Sequence, residues 1–214
     1  MARRKIREYD AKRIISEYIG QYSQGKISMP FQSVLVNSHS GSGFHSGLTG
    51  SAMNLDELPK HYPWLQEQKL VVKPDQLFGK RGKLGLIAVN INFDKIKEFI
   101  HDHRNKAIAI GKAMDRLTHF LIEPYRPHTK EYYLSFNSER DGITVYFSTY
   151  GGIDIEENWY RVKKYFIPAL TTSEGSDFEK ELLAETPEEH RKSIAAFIAA
   201  LFKLYLELDF TDLE

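Results

Sequence analysis

The sequence predicts an α+β architecture, with sheets covered by helices rather than a doubly wound parallel sheet. Three observations carry this. Strand-length apolar runs and helical patterns alternate without a strict βαβ rhythm. Hairpins are prominent, the clearest being the turn Asp141-Gly142 between residues 131–138 and 143–149. A long amphipathic helix starts at Thr186-Pro187-Glu188-Glu189, which offers a cap, a proline at the first position and an early glutamate.

Composition bounds the rest. A chain of 214 residues can bury a real core, as one large domain or two small ones. Its 42% hydrophobic and 27% charged residues are those of an ordinary globular protein. The 29 basic and 29 acidic residues cancel, which argues against nucleic acid or a membrane surface as partner. With no cysteine there is no disulfide, thiolate nucleophile or Cys-based zinc site, and a cytoplasmic location is expected. No apolar run approaches the ~20 residues of a membrane span. The opening MARRKIREYDAKR is basic but interrupted by Glu8 and Asp10, so it reads as the lead-in to a helix and not as a secretory signal.

In chain order, Asp10 is expected to cap a helix to about Tyr22, with Ile14, Ile15, Tyr18, Ile19 and Tyr22 on one face. Residues 38–51, SHSGSGFHSGLTGS, read as a flexible loop. Asn54 and Glu57 resemble a capping box for a short helix bearing Leu55 and Leu58. Residues 70–72 and 84–91 form the strands of a basic hairpin. Asp94 caps a helix to about His103 with Ile96, Phe99 and Ile100 inward. Residues 107–110 and 117–123 are strands, the second broken by Pro124 and Pro127. After the Asp141-Gly142 hairpin come a short helix at 158–166, a short strand at 167–170, a loop at 172–177 and a helix at 178–184. The final helix runs to about Glu207, burying Ile194, Phe197, Ile198, Leu201, Phe202, Tyr205 and Leu208. Residues 209–214 read as the entry to another strand, so the chain is expected to be cut inside a domain.

The hairpin at 70–85, LVVKPDQLFGKRGKLG, is the stretch most suggestive of chemistry. Lys73 is held extended by Pro74. Lys80, Arg81 and Lys83 follow in a turn with Gly79 and Gly82. Glycines allow close backbone approach, and successive turn amides make anion nests, so a polyphosphate fits. No Walker pattern is present, and a solvated surface hairpin explains the same residues. Two carboxylates stand out at a chain reversal: Glu123, ending an apolar strand, and Glu131, just after it. Strand-end solvation is the alternative for each. His101-Asp102-His103 and Glu156-Glu157 read more simply as solvated surface than as metal ligands. Nothing suggests a covalent nucleophile.

Several stretches together resemble a known family: KLVVKPDQLFGKRGKLGL (69–86), FLIEPYRPH (120–128), EYYLSF (131–136), GGIDIEEN (151–158) and LFKLYLELDFTDLE (201–214). They are similar to the ATP-grasp part of the ATP citrate lyase family, and KIREYDAKRII looks like the version in which this part is a separate subunit. Succinyl-CoA synthetase β subunits are more distant relatives. The resemblance implies an ATP-grasp fold of two α+β subdomains, a smaller one at 21–123 and a larger one combining 1–20 with 124–214. It implies that Lys73 meets ATP phosphates and that Arg81 and Gly82 form the loop over them. It places Glu123, Pro124, Tyr125 and Arg126 along the adenine slot, and Glu131 on the ribose hydroxyls. Full enzymes of the family use MgATP to phosphorylate a histidine. The phosphoryl group passes to citrate, citryl-CoA forms, and cleavage gives acetyl-CoA and oxaloacetate.

The resemblance also implies what this stretch leaves to others. In the family the closing segment continues past Glu214 into an Asn-Pro motif and a later Asp that hold Mg²⁺. The citrate, phosphohistidine and CoA sites belong to remaining domains or a companion subunit, and no histidine here matches the phosphorylated one. No catalytic residue is therefore assigned, and the chain alone is expected not to turn over. The competing readings are a citryl-CoA or succinyl-CoA synthetase-like ligase subunit and a non-catalytic nucleotide-binding module.

Overall fold

The computed structural model describes residues 5–38, 44–46, 52–53, 55–79, 81–110 and 113–214. In order the elements are α1 (Glu8–Tyr22), β1 (Val34–Ser38), β2 (Phe44–Ser46), β3 (Ala52–Met53), a 3-10 turn (Leu55–Glu57), α2 (Leu58–His61), α3 (Trp64–Glu67), β4 (Leu70–Pro74), β5 (Ala88–Ile91), α4 (Phe93–His103), β6 (Ala107–Ile110), β7 (Ala113–Arg116) and β8 (His119–Pro124). They continue with β9 (Tyr133–Ser138), β10 (Gly142–Ser148), a 3-10 turn (Trp159–Arg161), β11 (Lys163–Pro168), α5 (Gly175–Leu182), α6 (Glu188–Glu207) and β12 (Asp212–Leu213). The α+β class is as predicted. Two compact units divide the chain. One holds residues 5–13 and Phe31–Pro127; the other holds Ile14–Pro30 and His128–Glu214. Among the described residues no helix is long and apolar enough to cross a membrane.

The first unit is built on an antiparallel sheet ordered β3-β2-β1-β8-β4-β5, beside the hairpin β6-β7. The central strands β1 and β8 bury residues on both faces, while β4 buries Leu70 and Val72 on one face and leaves Val71 and Lys73 less buried on the other, because alternate residues point to opposite sides. Val34, Val36, Leu70, Val72, Phe120 and Ile122 pack on one side with Phe93, Ile96 and Ile100 of α4. Leu35 and Leu121 pack on the other with Tyr9 of α1 and Phe31. Each fully buried side chain of this size contributes about 1.5–3 kcal/mol of apolar burial. The start of α1 is thereby seated over the face of β4 and β8 that also carries Lys73 and Glu123.

In the second unit the sheet order is β11-β10-β9-β12, antiparallel throughout. Its inner face, with Phe136, Val145, Phe147 and Ile167, packs on Phe178 and Leu182 of α5 and on Ile198, Phe202 and Tyr205 of α6. The predicted hairpin at Asp141-Gly142 is present, pairing Ile143 with Ser138 through Ser148 with Tyr133. Residues 209–214 do enter a strand, β12, which pairs with β9.

Several local expectations are corrected. Residues 158–166 are not a helix: a 3-10 turn is followed by β11, because Lys163–Pro168 complete the ladder on β10. The short strand expected at 167–170 is the end of that same β11. In residues 38–51, Phe44–Ser46 form a strand against β1, while 39–43 and 47–51 lie outside the described residues, as do Asn54 and Lys80. The caps also move. Asn92, not Asp94, caps α4 by accepting the Lys95 amide at 3.0 Å. Pro187 takes the N-cap position of α6 without a side-chain bond, and the buried Thr186 hydroxyl caps nothing. Asp10 lies inside α1, which begins at Glu8. Tyr18 is exposed, and so is Leu208, which lies past the end of α6 as its C-cap residue.

Candidate functional site

Lys73 stands near the end of β4, where buried Leu70 and Val72 alternate with the less buried Val71 and Lys73. Its register partner is Leu121, while Val71 faces Glu123. Lys73 and Glu123 are thus diagonal neighbours on one face, which brings long side chains within reach. Lys73 Nζ lies 3.1 Å from Glu123 Oε2. The Glu123 carboxylate also accepts from Lys12 Nζ at 2.8 Å on both oxygens and from Ser33 Oγ at 3.1 Å.

Above this pair sits the first turn of α1. Glu8 Oε1 accepts from Lys73 Nζ and lies 2.7 Å from Lys12 Nζ, its i+4 neighbour. Glu8 Oε2 accepts from Arg81 Nη2 at 2.8 Å. The other arm of the Arg81 guanidinium donates to the Pro74 carbonyl at 2.7 Å, which pins the loop after β4 back onto its own strand. Gly82 lies in the turn that follows. The Leu86 amide returns to the Arg81 carbonyl at 2.9 Å and the Gly85 amide to the Gly82 carbonyl at 3.0 Å. Gly85 has φ +67°, the left-handed geometry that glycine tolerates at no steric cost.

Asp75 completes the cluster from below. It is 1% exposed, and its carboxylate accepts the amides of Glu8 at 3.0 Å and Tyr9 at 3.3 Å. Those are orphan donors of the first turn of α1, so this helix is capped by a residue of the β4–β5 loop.

The electrostatics follow from this packing. Burial pushes the Glu8 carboxyl up, but the attraction of Lys73 and Lys12 and their hydrogen bonds outweigh it and hold the group at about 2. Burial opposes charge on Lys12 as well, yet Glu8 and Glu123 leave its ammonium above the usual lysine range. Asp75 is raised, chiefly by burial, with the Glu8 charge adding to the same direction. Lys12, Lys73 and Arg81 are paired with the carboxylates of Glu8 and Glu123, while Asp75, near enough to feel the Arg81 charge, is held by backbone amides. Among the described residues, no group of three or more His, Asp or Glu side chains is placed to hold a metal ion.

Of the residues named from sequence, Lys73, Arg81 and Glu123 come together through Glu8. Gly82 adjoins them in the loop. Pro124 ends β8 opposite Leu70, the Tyr125 amide donates to the Lys69 carbonyl at 2.8 Å, and Arg126 donates to Gln32 at 3.0 Å. Glu131 belongs to the other unit, half exposed and 2.7 Å from His128 Nε2. There the Gly151 amide donates to the Glu131 carbonyl at 2.8 Å, and a Cβ on Gly152 would stand 2.1 Å from Glu131 Oε2. Glycine at 152, with φ +84°, is what lets that carboxylate lie against the backbone.

Sequence reasoning missed Glu8, Lys12, Ser33 and Asp75. Glu8 and Lys12 carry a usable signal, an acid four residues before a base on a helix. Ser33 and Asp75 carry none, because their partners are 90 and 67 residues away in the chain.

The family described as ATP-citrate synthase ATP-grasp domain matches residues 2–214. ATP-citrate synthase alpha chain protein 1 of Arabidopsis thaliana is 41% identical over 218 residues, covering all of this chain and 47% of that protein. Human ATP-citrate synthase is 38% identical over 159 residues, covering 73% of this chain and 14% of that protein. A solved structure of ATP citrate lyase from Methanothrix soehngenii, in complex with citrate and coenzyme A, superposes with a TM-score of 0.81 at 32% identity over 99% of this chain and 46% of that one. The chain spans about half the length of its plant relative. With its α+β layers and its match over 2–214, this chain belongs to the ATP-citrate synthase ATP-grasp domain family, a nucleotide-binding fold.

Proposed function

We propose that this chain binds ATP as the nucleotide-binding part of an enzyme that cleaves citrate with ATP and coenzyme A to acetyl-CoA and oxaloacetate. The observation that carries the reading is the convergence of Lys73 and Arg81 on one pair of anionic oxygens, those of Glu8. An ammonium and a guanidinium aimed at one point are suited to phosphate oxygens. The loop of Arg81 and Gly82 would lie over the phosphates. Residues 123–126 would line the adenine, offering backbone groups to the base edge, and Glu131 would accept from the ribose hydroxyls. The smaller ATP-grasp subdomain would lie at 21–123 and the larger would combine 1–20 with 124–214, close to the division into two compact units and differing from it chiefly in that residues 5–13 group with the first unit and 21–30 with the second.

Phosphoryl transfer of this kind depends on positioning and charge neutralisation, and Mg²⁺ bound with ATP would supply part of the latter. The described residues do not by themselves form a metal site, so no step is assigned to the ion here. Histidine phosphorylation, citrate activation and coenzyme A transfer would fall to the remaining domains or a companion subunit. A cytoplasmic setting suits a chain without cysteine.

Calorimetry with ATP, with and without Mg²⁺, tests the reading. Lys73→Ala removes one charge-assisted contact of about 1.5–3 kcal/mol, so ATP binding should weaken by roughly ten- to a hundredfold. An unchanged affinity removes Lys73 from the phosphate site.

A further inference from the structure

The same geometry raises a difficulty for an incoming polyphosphate. Lys73 and Arg81 already hold an anion, the Glu8 carboxylate, with Oε2 2.8 Å from Arg81 Nη2 and Oε1 on Lys73 Nζ. Glu123 adds a second carboxylate on Lys12 and Lys73, so among the described residues Lys12, Lys73 and Arg81 each already have a carboxylate partner before a ligand arrives. A carboxylate presents paired acceptor oxygens much as a phosphate does. Glu8 therefore occupies the position that a phosphate would take.

We propose that Glu8 is an internal counter-ion of the phosphate subsite, seated on Lys73 and Arg81 when no nucleotide is bound and exchanged for phosphate oxygens when ATP binds. The inference rests on Lys73 and Arg81 being phosphate ligands. Three features equip Glu8 for exchange. It lies in the first turn of α1, at a helix end rather than in the sheet. Lys12, one turn on and 2.7 Å away, is a partner Glu8 can keep as it leaves the other two cations. Lys12 is also the most exposed of the three cations, with 39% of its side chain in solvent against 15% for Lys73 and 23% for Arg81. The exchange selects for charge. Adenosine gains nothing from it, whereas a triphosphate replaces one carboxylate with several anionic oxygens.

The test is calorimetric titration of ATP, tripolyphosphate and adenosine into the wild-type chain, Glu8→Gln, Glu8→Asp and Lys73→Ala. Glu8→Gln should tighten ATP and tripolyphosphate by about tenfold, equivalent to ~1.4 kcal/mol. Glu8→Asp, too short to span both cations, should tighten them less, and adenosine should be unaffected by either change. If Lys73→Ala weakens ATP while neither Glu8 variant tightens it, the counter-ion is refuted and the phosphate site stands. If Lys73→Ala changes nothing, the phosphate site itself is wrong and the counter-ion falls with it. Should both Glu8 variants fail to fold, carbodiimide labelling of Glu8 in the wild-type chain decides. Faster labelling in tripolyphosphate supports release of the carboxylate; unchanged or slower labelling overturns it.

Discussion

Replacing Glu8 by glutamine should make the acid stability of this protein flatter, by an amount that can be worked out. The Glu8 carboxyl is lowered from an ordinary value of 4.5 to about 2. Each pK unit is worth ~1.4 kcal/mol, so ionised Glu8 contributes about 3 kcal/mol to folding near neutrality. Because the folded value is the lower one, this stability is fully present above pH 4.5 and is lost as pH falls through about 2. At pH 3 linkage leaves ~1.4 kcal/mol, so about 2 kcal/mol disappears between pH 7 and pH 3. Urea unfolding of both proteins at intervals across that range measures it. The other carboxylates titrate in both, so the difference between the two curves isolates Glu8. Wild type should exceed Glu8→Gln by about 3 kcal/mol at pH 7, with the gap closing towards acid. Parallel curves would show that Glu8 is not held by Lys73, Lys12 and Arg81 in solution.

Asp75→Ala removes the acceptor of the Glu8 and Tyr9 amides and should cost about 1–2 kcal/mol in thermal or urea melts, the range of a lost helix cap. No measurable change would mean α1 is capped by something else. Gly152→Ala puts a Cβ 2.1 Å from Glu131 Oε2 at a φ of +84°, so it should destabilise by at least ~1 kcal/mol. If Glu131 meets the ribose, Gly152→Ala should also narrow the preference for ATP over its 2′-deoxy form, which calorimetry reads directly. Phe202→Ala empties a site whose ring lies 5.9 Å from Phe136 and 5.7 Å from Phe178, for a loss of about 3–5 kcal/mol. Lys95 and Glu98 are 2.6 Å apart but mostly exposed, so a double-mutant cycle should find a coupling below ~0.5 kcal/mol.

The elements that read clearly from sequence are those whose signal is local. The Asp141-Gly142 turn sits between two strands that can pair only in one register if Phe136, Val145 and Phe147 are to share the core. Ile96 and Ile100 mark the inner face of α4 by spacing alone. Caps read poorly, because several polar residues near a helix start are chemically able to cap and geometry selects among them. Asn92 wins over Asp94, and at α1 the cap comes from Asp75. Residues 158–166 read poorly for another reason. Trp159 packs edge-on against Tyr133 and at a tilt against Tyr146, and the strand after it forms by pairing with the open edge of β10.

At the site the division is sharper. Sequence by itself determined the class of fold, the family, and which segments carry Lys73, Arg81, Glu123 and Glu131, because side-chain chemistry and motif order are properties of the chain. It could not show that Lys73 and Arg81 are already neutralised. That depends on Glu8, 65 residues before Lys73 and 73 before Arg81, arriving over β4 when Tyr9 packs on Leu35 and Leu121. Only tertiary structure decides which charges meet, since Coulomb attraction is set by distance in space and by burial, and neither is a function of spacing along the chain.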